Sequence, residues 1–156
     1  MIEIERKFLV SSEAFKTEAT SSKQIVQGFL NTDKERTVRV RISGDKGILT
    51  VKGKSTEDGL SRFEWETTLD KAEAEALLQI CEPGVINKTR YEIPMGNHLF
   101  EVDEFHDENE GLIVAEVELN VVDEDFLKPS WLGEEVTGKV EYYNSHLSKS
   151  PYKTWK

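Results

Sequence analysis

The chain has 156 residues, 37% of them hydrophobic and 32% charged, with a formal net charge of -10. That length fits one domain, 1–156, able to bury its own core without disulfides or structural metal, and the excess of acid argues against nucleic acid or an anionic membrane as a partner. A single cysteine excludes an internal disulfide framework, and with no apolar run as long as a signal h-region or a membrane span, the sequence predicts a cytoplasmic protein.

In chain order, Ile2 and Ile4, then Phe8 and Val10, alternate with polar residues and predict a strand over 2–10. Ser11-Ser12 reads as a cap for a short helix over 12–19. Strands follow over 24–31, 36–43, 47–54 and 61–69, carried by the alternations Val38-Val40-Ile42, Leu49-Val51 and Phe63-Trp65. Ser43-Gly44-Asp45-Lys46-Gly47 is a hairpin turn, because glycine accepts the positive φ such turns demand. A helix is expected over 70–81, capped by Asp70, with Cys81 at its end reading as a small buried hydrophobe rather than a nucleophile. Strands over 88–93, 98–105 and 112–121, the first two joined by a turn at Met95-Gly96-Asn97, bring the set to about eight, mostly antiparallel. The loop Asp107-Glu108-Asn109-Glu110-Gly111 lacks alternating ligand spacing and reads as a solvated turn. Short helices are expected around 123–128 and 141–148. His98, His106, His146, Trp131 and Trp155 read as surface or packing residues.

The polar faces of the strands are unusual. They carry charges two residues apart, which projects each pair from one face. Glu3, Glu5 and Lys7 share a face of the first strand, Arg39 and Arg41 of the third, Thr50 and Lys52 of the fourth, and Arg62, Glu64 and Glu66 of the fifth. Lys88 and Arg90, Glu101 and Asp103, and Glu116 and Glu118 continue the pattern on the last three. A solvated sheet face with cross-strand ion pairs would account for the charges alone. Same-sign doublets, however, repel on a plain surface. They make sense if the sheet closes and the charged face lines a bore, with a polyanion beside the basic set and metal ions beside the acidic one. Phe8, Phe63, Trp65, Tyr91, Phe100 and Phe105 then fall on the opposite face, bulky enough to be covered by helices.

Glu3-Ile4-Glu5-Arg6-Lys7-Phe8 resembles the Glu-x-Glu-x-Lys signature of the CYTH superfamily, the triphosphate tunnel metalloenzymes. The resemblance extends in order through Thr37-Val38-Arg39-Val40-Arg41, Leu49-Thr50-Val51-Lys52, Arg62-Phe63-Glu64-Trp65-Glu66, Lys88-Thr89-Arg90-Tyr91, Phe100-Glu101-Val102-Asp103 and Ala115-Glu116-Val117-Glu118-Leu119. Gly133-Glu134-Glu135-Val136-Thr137-Gly138 and Tyr142-Tyr143-Asn144 are similar to the C-terminal segment of bacterial members. The resemblance implies a mainly β, α+β fold: a closed eight-stranded antiparallel barrel with helices packed outside. It implies that Lys7, Arg39, Arg41, Lys52, Lys88 and Arg90 hold a small-molecule triphosphate, with Arg62 either joining them or balancing its glutamates. It also implies that Glu3, Glu5, Glu116 and Glu118, then Glu101 and Asp103, then Glu64 and Glu66, bind Mg²⁺ or Mn²⁺, directly or through water. One departure stands out: Phe29 occupies a position where the family often has a tyrosine whose hydroxyl contacts the lysine of the first motif.

The resemblance indicates a ligand class more sharply than a reaction. Metal-dependent hydrolysis of inorganic tripolyphosphate or another short triphosphate, with Lys7 catalytic, is the expected activity. The alternatives are a class IV-type adenylate cyclase, a thiamine triphosphatase and a non-catalytic polyphosphate-binding module. A homodimer is compatible with so small a barrel.

Overall fold

In a computed structural model that describes residues 2–155, the chain forms nine strands and three short α-helices. The strands are β1 (Ile2–Val10), β2 (Ser21–Asn31), β3 (Arg36–Ser43), β4 (Lys46–Gly53), β5 (Ser61–Leu69), β6 (Ile86–Met95), β7 (His98–Phe105), β8 (Ile113–Leu119) and β9 (Leu132–Glu135). The helices are α1 (Phe15–Glu18), α2 (Lys71–Leu78) and α3 (Asn144–Leu147). All pairings are antiparallel in the order β5-β4-β3-β2-β6-β7-β8-β1-β9, and a further β5–β1 pairing closes the first eight strands into a barrel. The eight expected strands are therefore present, and β9 is an unforeseen ninth that pairs with β1. Both expected hairpins form, with Gly44 and Gly96 at φ 62° and 63°.

The outer faces of β1, β6, β7 and β8 build one core from Phe8, Ile93, Phe100, Val102, Ala115, Val117 and Leu119. Phe15 of α1 and Trp131 cover it, both fully buried. Phe15 and Phe100 meet Trp131 edge-on, with centroids 5.9 and 5.6 Å away. On the other side α2 lies against β2, β3 and β4, started by a reciprocal capping box between Asp70 and Glu73. The helical cover stops there. Phe63 and Trp65 on β5 remain 46% and 40% exposed, contrary to the expectation that helices would cover them.

A second apolar cluster lies inside the barrel. Phe29, Ile86, Phe105 and Val114 are the cross-strand partners of Arg39, Gln27, Lys88 and Asp103, so they share the inward face with those polar groups. Onto them pack Leu147 of α3, fully buried, and the partly buried Tyr142, Tyr152 and Trp155. The C-terminal segment is anchored beside β1 by bonds from Val136 N–H to the Lys7 carbonyl, 2.8 Å, and from Lys7 N–H to Thr137 Oγ1, 2.9 Å. It then turns into the barrel end and seals it. With α1 and α2 packed outside as expected, the C-terminal turns add a floor, because a short apolar segment buries more surface in an open barrel end than on an already covered wall.

Three helix expectations shrink or fail. The segment 12–19 holds only α1, with Ser12 Oγ accepting from Ala14 N–H at 3.4 Å, and 141–148 holds a 3-10 turn followed by α3. No helix forms over 123–128. There the Glu124 carboxylate accepts from the Asn120 and Val121 N–H groups, and Phe126 inserts edge-on against Phe8 and Phe100, local contacts that compete with helical bonding just before Pro129. Cys81 is half-buried rather than buried, against Gly28.

Because Leu147 is the most deeply placed residue of the floor, Leu147→Ala is expected to cost about 2–5 kcal/mol. Urea unfolding checks this; a midpoint equal to that of the parent protein would mean the floor contributes nothing to stability.

Candidate functional site

Period-two alternation sends one side chain in two into the bore, and closure brings those from all eight barrel strands around a single cavity of about 350 Å³. Its wall includes Glu3, Glu5 and Lys7 from β1; Arg39 and Arg41 from β3; Lys52 from β4; and Arg62, Glu64 and Glu66 from β5. Lys88 and Arg90 from β6, Glu101 from β7, and Glu116 and Glu118 from β8 complete the charged lining. Asp103 is the one expected site residue that does not line it. Its carboxylate sits 4% exposed behind the wall, accepting from Arg90 Nε and one terminal nitrogen at 2.8 and 2.9 Å and from Lys88 Nζ at 2.8 Å.

The charges sort by wall. β1 and β8 pair Glu5 with Glu118, β7 and β8 pair Glu101 with Glu116, and the acidic wall continues to Glu64 and Glu66. Opposite lie Arg39, Arg41, Lys88 and Arg90. Lysines neutralise part of the acidic wall: Lys52 reaches Glu3 at 2.8 Å and Glu64 at 3.3 Å, and Lys7 reaches Glu116 at 3.5 Å. Arg90 lies 3.4 Å from Glu101 and 3.7 Å from Glu116. Arg39 donates to Thr50 Oγ1 at 3.0 Å, which in turn donates to Glu66 at 3.1 Å. Arg39 Nε is buried without a partner among the described residues, a donor left unsatisfied inside the bore. Arg62 is held by two bonds to the Gly53 carbonyl, at 3.0 and 2.8 Å, and still faces the cavity.

These contacts decide protonation. Burial, then Glu116 and Glu3, push the Glu5 carboxyl well above its ordinary range, so the acidic wall holds more negative charge than its lysines balance. Glu64, Glu101 and Glu118 are raised as well, burial leading in each. Burial opposes the charge on Lys7, but Glu116 and Glu5 outweigh it and the ammonium holds its proton more tightly than usual. Burial, with Arg41 and Arg90 adding to it, brings Lys88 down to about 7 against the pull of Asp103. Burial would raise Asp103, yet Arg90 and Lys88 hold it far below the carboxylate range, so it serves as their fixed counter-ion. Burial would also raise Glu116, but Lys7 and Arg90 bring it down to about 2. Arg39 is lowered by burial and Arg90, and Arg41 more strongly by burial, Arg39 and Arg90. An anion beside these groups would offset both the burial and the repulsion that lower them.

Among the described residues no three His, Cys, Asp or Glu side chains converge closely enough to enclose an ion by themselves. That arrangement suits a small hard cation that keeps waters and takes one or two carboxylates plus phosphate oxygens, and the elevated Glu5 marks where positive charge is lacking.

Several lining groups escaped the sequence reading. Thr37, Tyr143, Asn144 and Ser145 reach the cavity, the last three from the floor. Gln27, fully buried beneath them, lies two positions from Ile25 and Phe29 on the inward face of β2, a spacing that could have flagged it. Phe29 belongs to the floor's apolar cluster, and the aromatic ring facing Lys7 is that of Tyr143, 5.0 Å from Nζ.

A closed antiparallel β-barrel, blind at one end, with a cationic wall facing a carboxylate wall, defines the class of protein. The CYTH domain model matches residues 1–151, and the chain belongs to that family. An inorganic triphosphatase of Acetivibrio thermocellus is 48% identical over 99% of this chain and 97% of that relative. One of Nitrosomonas europaea is 37% identical over 96% of this chain and 99% of that relative. The crystal structure of an inorganic triphosphatase superposes with a TM-score of 0.66 at 33% identity, covering 94% of this chain and 97% of that one.

Glu5→Gln keeps the shape and removes the surplus charge, so it is expected to raise the melting temperature of the metal-free protein at pH 8. With the folded pKa above the usual 4.5, the carboxyl's favourable contribution is complete below that pH and is lost as pH rises through the folded value. The gain from glutamine should therefore vanish in acid. Thermal unfolding across pH measures it, and a lowered melting temperature at pH 8 would contradict the surplus of negative charge.

Proposed function

We propose that this chain hydrolyses inorganic tripolyphosphate or another short triphosphate, using Mg²⁺ or Mn²⁺, inside the blind bore. The observation that carries the reading is the facing of Arg39, Arg41, Lys88 and Arg90 against Glu3, Glu5, Glu116 and Glu118 across one cavity. The relatives named as inorganic triphosphatases, alike over nearly the whole chain, support it. The lining supports it over a cyclase: among the described residues Ile25, Phe29, Ile48, Leu60 and the Tyr143 ring are its apolar surfaces, set in a wall that is otherwise charged or polar. A single half-buried cysteine accords with a cytoplasmic setting.

In this reading the guanidinium forks of Arg39, Arg41 and Arg90 take phosphate oxygens, and Lys52 and Lys88 add point charges. The free Arg39 Nε gains its partner, and an arriving anion draws the proton back onto Lys88. Arg62 extends the basic wall, since its bonds to Gly53 leave it facing the cavity. When bound, a divalent cation supplies charge neutralisation on the phosphate oxygens. Glu3, Glu5 and Glu118 would hold it, with Glu64, Glu66, Glu101 and Glu116 around them, whereas Asp103 positions Lys88 and Arg90. A glutamate of the acidic wall orients water in line with the terminal phosphorus and takes its proton as the new P–O bond forms. The bridging P–O bond breaks, and pyrophosphate leaves with charge that the basic wall neutralises. Lys7, which holds its proton firmly, contributes as a cation rather than as a base.

The purified protein with Mg²⁺ or Mn²⁺ should release phosphate and pyrophosphate from tripolyphosphate. Assays with ATP and thiamine triphosphate, scoring cyclic AMP as well, separate the alternatives: cyclic AMP with pyrophosphate would sink the hydrolase, and binding without any product would indicate a sensor. Lys7→Ala should lower kcat by about 100-fold or more, and Glu3→Ala with Glu5→Ala should abolish turnover and the thermal stabilisation by metal. Both variants should retain the parent circular dichroism; full activity in either would remove the site from the bore.

A further inference from the structure

The floor of the bore contains a chain of amides whose orientation is forced. Arg41 can only donate, and its Nε lies 2.9 Å from the side-chain oxygen of Gln27, which must therefore be Oε1. Gln27 is fully buried, so its other end, Nε2, has one direction left and donates to Asn144 at 3.0 Å. Asn144 must meet that donor with Oδ1, and the same oxygen accepts from Lys88 Nζ at 3.0 Å. Reversing Gln27 would set donor against donor at Arg41 and acceptor against acceptor at Asn144, and reversing Asn144 would set its NH₂ against the donors of both Gln27 and Lys88. The consequence falls on the far side of Asn144. Its Nδ2 is turned away from both partners, makes no hydrogen bond among the described residues, and belongs to a side chain that lines the cavity.

We propose that Asn144 is a substrate-binding residue, whose Nδ2 donates to a phosphate oxygen held between Lys88 and Arg41 at the closed end of the bore. This rests on the polyphosphate reading of the cavity. One amide then has two duties: Oδ1 ties Lys88 to the floor, and Nδ2 supplies a neutral donor where a further cation would add to the repulsion among Lys88, Arg41 and Arg90. A group recognised this way carries several acceptor oxygens around one centre, as a terminal phosphoryl group does. The floor is therefore part of the recognition surface as well as a plug.

Two substitutions separate this role from simple support of Lys88. Asn144→Asp keeps an acceptor for Lys88 and Gln27 but removes the Nδ2 donor and turns an oxygen toward the phosphate; Asn144→Ala removes both. If the residue only supports Lys88, the aspartate variant should be the milder. The proposal expects the reverse: KM for tripolyphosphate rises about tenfold or more in Asn144→Ala and further in Asn144→Asp, with melting temperatures showing both folded. A second reading uses the native protein without metal, titrated with tripolyphosphate and followed by ¹⁵N NMR. The Asn144 side-chain amide, assigned by its absence in Asn144→Asp, should shift downfield together with the Nε signals of Arg39 and Arg41. Arginine signals that move while the amide stays still would overturn this proposal alone. If none of them moves, the polyphosphate reading of the bore falls with it. An aspartate variant of parent-like KM would likewise overturn the role of Nδ2.

Discussion

Charge taken out of water inside a closed barrel must be compensated within a few ångströms, and this requirement governs the rest of the structure. A single fully buried carboxylate, Asp103, holds Lys88 and Arg90 at contact distance on one wall. Lys7 and Lys52 neutralise part of the other. What remains is deliberately unequal. Burial, joined by neighbouring carboxylates, raises Glu5, and burial, joined by neighbouring cations, lowers Lys88, Arg39 and Arg41. Arg90 reaches Glu101 and Glu116, and Lys52 reaches Glu3 and Glu64, so the walls are bridged there, while among the described residues Arg39 and Arg41 form no ion pair with a carboxylate. Such an arrangement suits a ligand pair of opposite sign, which would neutralise both sides without reorganising them.

The floor shows how fold and chemistry are coupled. The same C-terminal turns that bury Leu147 against Phe29, Ile86 and Phe105 present Tyr143 and Asn144 to the cavity. An apolar contact of ordinary kind therefore positions the polar end of the bore to within hydrogen-bonding distance. Tyr143 also answers the departure at Phe29. That residue has no hydroxyl for Lys7, but the ring of Tyr143 lies against the ammonium from the floor, so aromatic contact reaches the lysine from a different part of the chain.

Much of the architecture and most of the candidate site were legible in the amino-acid sequence, for a local reason. Strand alternation has a period of two, and it assigns each residue to a face before any tertiary contact exists. Glu3, Glu5, Lys7, Arg39, Arg41, Glu116 and Glu118 share the bore because each occupies the inward phase of its own strand. The hairpins at Gly44 and Gly96 were equally local, since a tight turn constrains φ at one residue.

Other features had no local signature. The helix expected around 123–128 was misjudged because Glu124 bonds to nearby backbone and Phe126 answers to distant rings, competitors that override helix propensity, whereas the one around 141–148 forms as a 3-10 turn and α3. Phe63 and Trp65 alternate like buried residues yet stay exposed, because cover depends on which helices reach a wall. Asp103 reads from sequence like its neighbour Glu101. Only packing placed one behind the wall as a counter-ion and left the other in the cavity. Gln27 and Asn144 stand far apart along the chain, and nothing in either segment announces that their amides meet. The sequence by itself determined which faces carry charge, because alternation is a property of the single strand. Which charges touch, which remain unbalanced and what closes the bore were decided by the tertiary structure, because those depend on distances between segments that the chain brings together only on folding.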